Sequence, residues 1–207
     1  TAALRFDPVS LGLFSSRLSA ACEEMGAVLR NAAFSPNIKD RLDFSCAIFD
    51  DTGALCAQAA HIPVHLGSMA FAMRDIVRRL AWAPGDQVIL NDPFLGGTHL
   101  PDVTLIAPVF AEGNLVGFVA NRAHHADIGA STPGSMPVSR SLGEEGLVIE
   151  PVHLVREGRR EESIWHWILN ATGNRRVAEG DLSAQLSANA KGLLRLQQMI
   201  ESLGGTH

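Results

Sequence analysis

The stretch VTLIAPVFAEGNLVGFVAN, residues 103–121, contains two apolar runs separated by a polar turn. Residues 103–110 and 115–121 predict two β-strands, and residues 111–114 predict the turn that joins them in a hairpin. Both runs are apolar at successive positions, which is typical of strands inside a sheet rather than at its edge. We therefore expect this hairpin to lie at the centre of a sheet.

The segments around the hairpin predict helices and further strands. Apolar residues at three- and four-residue spacing predict a helix that starts at Asp7-Pro8 and ends before residue 34, and others at 68–80, 164–169 and 181–203, the last capped by Asp181. Further strands are predicted at 44–49, 54–58, 87–90 and 147–155. We therefore expect one α/β (mixed α+β) domain over residues 1–207, with a mixed β-sheet, a central antiparallel hairpin and flanking helices.

The composition limits the classes of function. The chain has 207 residues, 46% of them hydrophobic, and a formal net charge of -5, which fits a globular domain with a sizeable core. The absence of a Lys/Arg run argues against nucleic acid as a partner, and the absence of a long apolar run argues against a membrane span. The three cysteines, Cys22, Cys46 and Cys56, predict buried reduced thiols of a cytoplasmic protein.

The hairpin also brings polar residues together. His99 and Asp102 precede or begin its first strand, whereas His124 and His125 follow its second strand. Because the start of one antiparallel strand lies beside the end of its partner, we expect these segments to meet. Imidazoles and a carboxylate suit a divalent cation such as Zn²⁺, Mn²⁺ or Fe²⁺. The sequence therefore predicts a metal site at this end of the hairpin.

The pattern leaves open which histidine completes this site. With a four-residue turn, Asp102 falls opposite Ala123, so His125 rather than His124 shares the face of Asp102. A bulge or a one-residue change in the turn reverses this choice. We expect one histidine to face the site and the other to pack or form a supporting hydrogen bond.

Other residues are candidates for proton transfer and substrate binding. Asp43 directly precedes an apolar strand, and an enclosed carboxylate there can act as a base. His61 and His65 bracket an apolar loop and are candidates for substrate contact or proton relay, although a single loop histidine is more often simply hydrogen-bonded. Gly96 and Gly97 would let the backbone come close to a ligand.

Four long motifs together resemble the hydantoinase B/oxoprolinase family. They lie at residues 34–46, 61–69, 91–103 and 121–137, and the resemblance covers residues 6–203. The resemblance implies the B-type subunit, or its N-terminal part, of an ATP-dependent hydrolase of cyclic amides such as hydantoin, 5-oxoproline or lactams. Some relatives carboxylate acetone or acetophenone, so a subunit of an ATP-dependent ketone carboxylase is an alternative. A non-catalytic scaffold for the A-type subunit is a second alternative.

The resemblance also implies partners and site residues. A hydantoinase A-type subunit would bind ATP and Mg²⁺, and this chain has no phosphate-binding loop of its own. Family members are usually longer, so the C-terminal part of a B-type subunit is a further expected partner. The metal ligands carry over to His99, Asp102 and His124, so the family favours His124 over His125 in that role. His125 and Asp43 are then expected to transfer protons, and Arg122 to bind the substrate.

Overall fold

The computed structural model of this chain, which describes residues 7–60, 65–132 and 138–204, contains seven strands. They are β1 (Phe44–Asp50), β2 (Leu55–Ala60), β3 (Gln87–Leu90), β4 (Asp102–Ala111), β5 (Asn114–His124), β6 (Val152–Arg156) and β7 (Arg159–Arg160). They form one sheet in the order β2-β1-β5-β4-β3-β6-β7. The predicted hairpin, β4–β5, therefore lies inside the sheet, as expected.

Each strand pair described in this sheet is antiparallel. The expectation of a mixed sheet is corrected on this point. The connection from β2 to β3 joins two strands that run in the same direction, but β1, β5 and β4 lie between them. The α/β fold class, with a central antiparallel hairpin and flanking helices, is confirmed.

The four predicted helices are present, and two short helices accompany them. The helices are α1 (Pro8–Ala32), α2 (Pro36–Lys39), α3 (His65–Arg79), α4 (Leu142–Glu145), α5 (Glu162–Ala171) and α6 (Arg175–Gly204), with a short 3₁₀ turn at Pro93–Leu95. The short helices α2 and α4 were not predicted. α1 begins where predicted, because the Asp7 carboxylate accepts hydrogen bonds from the backbone N–H groups of Val9 and Ser10. Within the described residues, no helix combines the length and apolarity needed to cross a membrane.

The last helix begins earlier than the predicted 181–203. It starts at Arg175, so Asp181 lies inside the helix rather than at its cap. The Asp181 carboxylate instead accepts hydrogen bonds from the backbone N–H groups of Phe34 (2.8 Å) and Ser35 (3.0 Å). Asp181 therefore ties α6 to the segment after α1, which sequence spacing does not reveal.

Helices cover both faces of the sheet. On one face, α1, α5 and α6 cover the apolar side chains that the central strands direct to that face, including Val103, Leu105 and Val119. On the other face, α3 packs through residues such as Met73 against Phe118. Burying a large apolar side chain stabilises the fold by roughly 1.5–3 kcal/mol. The α3 face matters most for function, because polar side chains replace apolar ones at its end.

The three cysteines differ in exposure. Cys22 and Cys46 are buried free thiols in the core between α1 and the sheet, as predicted. The prediction is wrong for Cys56, which is exposed. Cys56 lies at an irregularity in the edge strand β2, where the pairing with β1 skips it.

Candidate metal centre

The register of the central hairpin determines which histidine meets Asp102. The turn residues Glu112 and Gly113 both have positive φ, 49° and 80°, as a tight two-residue hairpin turn requires. The pairing then shifts by one residue close to the turn, and beyond that bulge Asp102 pairs with His124. The expected pairing of Asp102 with Ala123 is therefore wrong by one residue.

Three potential metal ligands converge at the end of the central strands. The ligand atoms of His99, Asp102 and His124 all lie within 4.8 Å of one another. His124 Nδ1 lies 2.8 Å from Asp102 Oδ1, and His99 Nδ1 lies 3.7 Å from Asp102 Oδ2. Asp102 is buried, whereas the His99 side chain is 49% exposed. The cluster is therefore open to solvent on the side of His99.

Neighbouring polar side chains keep Asp102 ionised. Burial acts to raise the pKa of Asp102, but the side chains of His124, His65 and Thr98 outweigh burial and hold that pKa well below its usual range. The Thr98 hydroxyl donates to Asp102 Oδ2, and the backbone N–H of His99 donates to the same oxygen at 3.1 Å. Burial acts to lower the pKa of His124, but the Asp102 carboxylate raises it overall. The cluster is thus centred on an anionic carboxylate.

A third imidazole and a second carboxylate face the same cluster. His65 is the first residue of α3, not part of an extended loop as predicted, and its Nε2 lies 3.8 Å from Asp102 Oδ1 and 3.9 Å from Asp43 Oδ1. Its Nδ1 forms a 3.1 Å hydrogen bond with the Ser45 hydroxyl. Asp43 Oδ2 lies 3.9 Å from His124 Nδ1. His65 Nε2 is buried and has no hydrogen-bond partner in the described part of the chain.

Arg122 is buried and bonded to protein atoms. Its Nε donates to Thr104 Oγ1 (2.8 Å), Nη1 to Ser68 Oγ (2.7 Å) and Nη2 to the Gly96 carbonyl oxygen (3.0 Å). Burial lowers the pKa of Arg122 to about 10, against the opposing effect of the Asp102 charge, so the guanidinium stays protonated at neutral pH. Arg122 therefore joins the sheet to α3 and to the glycine loop. This geometry does not support the direct substrate contact expected from the sequence.

Gly96 and Gly97 allow close backbone contacts within the protein. Gly96 has a φ of 89°, and a Cβ there would lie 2.5 Å from the Cβ of Ala72. A Cβ on Gly97 would lie 2.8 Å from the carbonyl oxygen of Asn91. Gly96 thus lets the loop before His99 pack on α3, and Gly97 lets that loop fold closely on itself. These contacts are with other protein atoms, and they do not show the close approach of the backbone to a ligand that the sequence led us to expect.

His125 lies on the opposite face of the sheet from the cluster. Its Nε2 forms a 2.8 Å hydrogen bond with Gln185 Oε1 of α6, and Gln185 Nε2 donates to the Val103 carbonyl and to Asn121 Oδ1. Burial lowers the pKa of His125, so the ring stays neutral at neutral pH. The structure does not bring His125 to the cluster, and the proton-transfer role expected of it is not supported. His61 lies outside the described residues.

Four hydroxyl side chains around the cluster were not predicted from the sequence: Ser45, Ser68, Thr98 and Thr104. Ser45 lies in β1 two residues beyond Asp43, which directly precedes that strand, and Thr104 lies in β4 two residues beyond Asp102. Side chains two residues apart share one face of a strand, so this spacing is the signal that could have identified them. For Ser68 and Thr98, which lie outside strands, no comparable signal exists.

Comparisons with known proteins identify the family. The hydantoinase B/oxoprolinase family matches residues 7–207. The 5-oxoprolinase of Dictyostelium discoideum is 42% identical over 207 residues, which are 99% of this chain and 16% of that protein. The caprolactamase subunit beta of Pseudomonas jessenii is 33% identical over 201 residues, which are 96% of this chain and 35% of that protein.

Solved structures share the fold. The crystal structure of the ATP-dependent caprolactamase from Pseudomonas jessenii superposes with a TM-score of 0.89 at 33% identity, over 96% of this chain and 35% of that chain. A nucleotide-free acetone carboxylase structure has a TM-score of 0.87 over 95% of this chain and 26% of that chain, but its 21% identity shows the fold alone. The chain spans 35% or less of these relatives. It belongs to the hydantoinase B/oxoprolinase family.

Proposed function

We propose that this chain forms the metal-binding part of the B-type subunit of an ATP-dependent cyclic-amide hydrolase. Its substrate class is a hydantoin, 5-oxoproline or a lactam. The observation that carries the proposal is the convergence of His99, Asp102 and His124, whose ligand atoms lie within 4.8 Å of one another. The kinship with proteins named 5-oxoprolinase and caprolactamase supports the same substrate class.

The residues present fit a divalent cation of the Zn²⁺, Mn²⁺ or Fe²⁺ type. Imidazole nitrogens and a carboxylate oxygen are ordinary ligands for these ions. Asp102 is kept ionised by its hydrogen bonds, as a ligand must be. His65 Nε2, buried and without a hydrogen bond among the described residues, offers a further polar atom beside the three ligands. When bound, the cation supplies a Lewis acid that polarises oxygen atoms of water and substrate.

Asp43 is the residue best situated to take a proton. Its side chain is 26% exposed, so water can reach it, and its two oxygens each lie 3.9 Å from an imidazole of the cluster. A carboxylate in such a position can act as a general base toward water. His65 lies between Asp43 and Asp102, and its hydrogen bond with Ser45 fixes its ring orientation. His65 Nε2 thus faces both carboxylates from a fixed ring orientation.

The ATP chemistry belongs, in this proposal, to a separate hydantoinase A-type subunit that binds ATP and Mg²⁺. The sequence has neither a Gly-x-x-x-x-Gly-Lys-Ser/Thr loop nor a Gly-x-Gly-x-x-Gly fingerprint. An amide is a weak electrophile because its nitrogen lone pair is delocalised, and phosphorylation of its oxygen makes the carbon open to attack by water. The further polypeptide that makes up most of the longer relatives would complete the B-type subunit.

A hydrolase is favoured over the two alternatives. The relatives that are at least 33% identical include a 5-oxoprolinase and a caprolactamase subunit, whereas the likeness to acetone carboxylase concerns the fold alone. A purely structural scaffold would not need two imidazoles beside one ionised, buried carboxylate.

ATP turnover of the assembled enzyme, in which this chain is joined by the rest of the B-type polypeptide and a hydantoinase A-type subunit, tests the proposal. Hydantoin, 5-oxoproline and caprolactam are supplied with and without bicarbonate. We expect ATP-coupled ring opening that needs no bicarbonate and is lost in Asp102→Asn. Turnover of ketones only, and only with bicarbonate, would assign a carboxylase instead. Ring opening that is unchanged in Asp102→Asn would contradict the role of the cluster.

A further inference from the structure

His65 presents one ring nitrogen to two carboxylates. The residue begins α3, and its side chain is 1% exposed. Its Nε2 lies 3.8 Å from Asp102 Oδ1 and 3.9 Å from Asp43 Oδ1, beyond the usual length of a hydrogen bond. Within residues 7–60, 65–132 and 138–204, this buried atom has no hydrogen-bond partner. A buried polar atom without a partner costs stability, so its position between two carboxylates requires an explanation.

His65 lies beside the candidate ligands rather than among them. Among the described residues, the ligand atoms that all lie within 4.8 Å of one another belong to His99, Asp102 and His124, and His65 is not in that group. Its Nε2 nevertheless faces Asp102 Oδ1, the oxygen that also meets His124 Nδ1 at 2.8 Å. A histidine in this position can orient a ligand carboxylate by donating a hydrogen bond to it.

The contact with Ser45 decides between the two neutral forms of the His65 ring. Ser45 is buried, and its Oγ lies 3.1 Å from His65 Nδ1. A hydroxyl can donate or accept, so this contact alone permits a proton on either nitrogen. With the proton on Nδ1, the lone pair of Nε2 would face oxygens of Asp43 and of the ionised Asp102, which only accept hydrogen bonds. The favourable arrangement therefore has the hydroxyl donating to Nδ1 and the proton on Nε2.

We propose that His65 is a positioning residue of the metal cluster. The Ser45 hydroxyl donates to Nδ1 and keeps the proton on Nε2, and the Nε2–H group orients the carboxylates of Asp102 and Asp43. An approach of about 1 Å by either carboxylate gives a hydrogen bond of ordinary length. The effect on metal binding rests on the proposed function, whereas the position of the ring proton is a property of the metal-free chain.

Nitrogen NMR of the metal-free chain tests the position of the ring proton. The histidine rings are isotope-labelled and measured at about pH 8, where a free histidine is neutral, and the His65 signals are those absent from His65→Gln. We expect the proton on Nε2. In Ser45→Ala, the Nδ1 signal should move toward that of a nitrogen without a hydrogen bond. A proton on Nδ1 or on both nitrogens, or an Nδ1 signal unchanged in Ser45→Ala, would overturn the inference.

Competition with a chromophoric chelator for Zn²⁺ tests the effect on the cluster. His65→Leu removes the Nε2–H group, and we expect the Zn²⁺ affinity to fall about 10- to 100-fold, the usual effect of removing a group that orients a metal ligand. His65→Gln keeps an N–H donor near the position of Nε2 and should retain most of the affinity. Circular dichroism checks the fold of each variant.

His153→Leu is the matched control. His153 Nε2 is also buried without a hydrogen bond among the described residues, but it lies 3.3 Å from Asp86 Oδ2 on another part of the sheet. This variant should leave the Zn²⁺ affinity unchanged, and a loss equal to that of His65→Leu would overturn the inference.

Two further results on Zn²⁺ would overturn the inference. They are an unchanged affinity in a folded His65→Leu, and equal losses in His65→Leu and His65→Gln, which would make His65 a ligand. If His65→Leu does not fold, Ser45→Ala takes its place, and an unchanged affinity there overturns the inference. An original chain that takes up no Zn²⁺ contradicts the proposed function, whereas a Zn²⁺-loaded chain without these effects contradicts this inference alone.

Discussion

Asp102 and His124 are paired across the two central strands, and Asp102 Oδ1 lies 2.8 Å from His124 Nδ1. The Asp102 carboxylate also faces His65 at 3.8 Å and His99 at 3.7 Å, which belong to other segments of the chain. Three imidazoles therefore surround one buried carboxylate at the end of the hairpin. Substitutions can therefore distinguish the residues that form this cluster from those that support it.

Arg122 is expected to stabilise the fold around the site through its hydrogen bonds. Arg122→Met removes hydrogen bonds to the buried Thr104 hydroxyl, to Ser68 and to the Gly96 carbonyl, the last two being half-buried. We expect the free energy of unfolding to fall by about 3 kcal/mol, roughly 1 kcal/mol for each lost bond. Urea denaturation measures this change. The exposed Arg78, changed to Met, is the control and is expected to shift stability by about 0.5 kcal/mol or less; equal losses in the two variants would contradict the prediction.

Substitutions at Gly96 and Gly113 can distinguish the cost of backbone strain from the cost of disrupting close packing. Both have positive φ, but a Cβ would overlap Ala72 at Gly96 and meets nothing within 4 Å at Gly113. We expect Gly113→Ala to cost about 1 kcal/mol of stability through φ alone and to leave metal affinity unchanged. Gly96→Ala should cost more and weaken metal binding, because the displaced loop leads to His99. Denaturation and competition with a chelator measure both effects, and similar behaviour of the two variants would refute the packing argument.

The stability of the metal-free protein is expected to depend on pH through His125. Burial lowers the pKa of His125, whereas an unfolded histidine titrates near pH 6.5, about its usual value. The unfolded chain therefore takes up this proton first, so the stability is complete above about pH 6.5 and declines as the pH falls below it. His125→Gln should show a shallower decline between about pH 7 and pH 5, by up to one proton, in denaturation measured across pH.

The same variant tests the position of His125. His125→Gln is expected to retain metal affinity, since His125 contacts Gln185 on the face opposite the cluster. Loss of metal from this variant would mean that the ring acts at the cluster after all.

Asp43 is expected to act in catalysis without holding the metal. In the assembled enzyme, Asp43→Asn should lower kcat by about 10²–10⁴, the usual contribution of a general base, while metal content stays constant. The exposed Asp51, changed to Asn, is the control and should leave kcat unchanged. Metal lost in parallel with activity would make Asp43 a ligand, and an unaltered kcat would remove it from the mechanism.

Local patterns in the sequence were sufficient for most of the fold. The apolar runs at 103–110 and 115–121 predicted the central hairpin, because strands buried on both faces need apolar side chains at successive positions. Asp7 predicted the start of α1 through a bond to its own helix. Asp181 looked like a similar cap, but its partners at residues 34 and 35 are remote in sequence. Local patterns do not record such long-range contacts.

The candidate site was predicted less completely for the same reason. Its location followed from the hairpin, but the choice between His124 and His125 depended on one bulge residue near the turn. A four-residue turn and a two-residue turn followed by a bulge leave the same apolar pattern. The burial of Arg122 and the approach of His65 to Asp102 depend on how α3 packs against the sheet. The spacing of residues along the sequence does not indicate either contact.

Metal analysis of the purified chain is the most direct test of the cluster. The chain is reconstituted with Zn²⁺, Mn²⁺ or Fe²⁺ and its metal content is measured by mass spectrometry beside the double variant His99→Ala, Asp102→Ala. We expect close to one metal ion per chain in the original protein and almost none in the variant, with helix content unchanged by circular dichroism. A folded original chain that stays free of metal after reconstitution, or a double variant that retains it, would contradict the proposed metal centre.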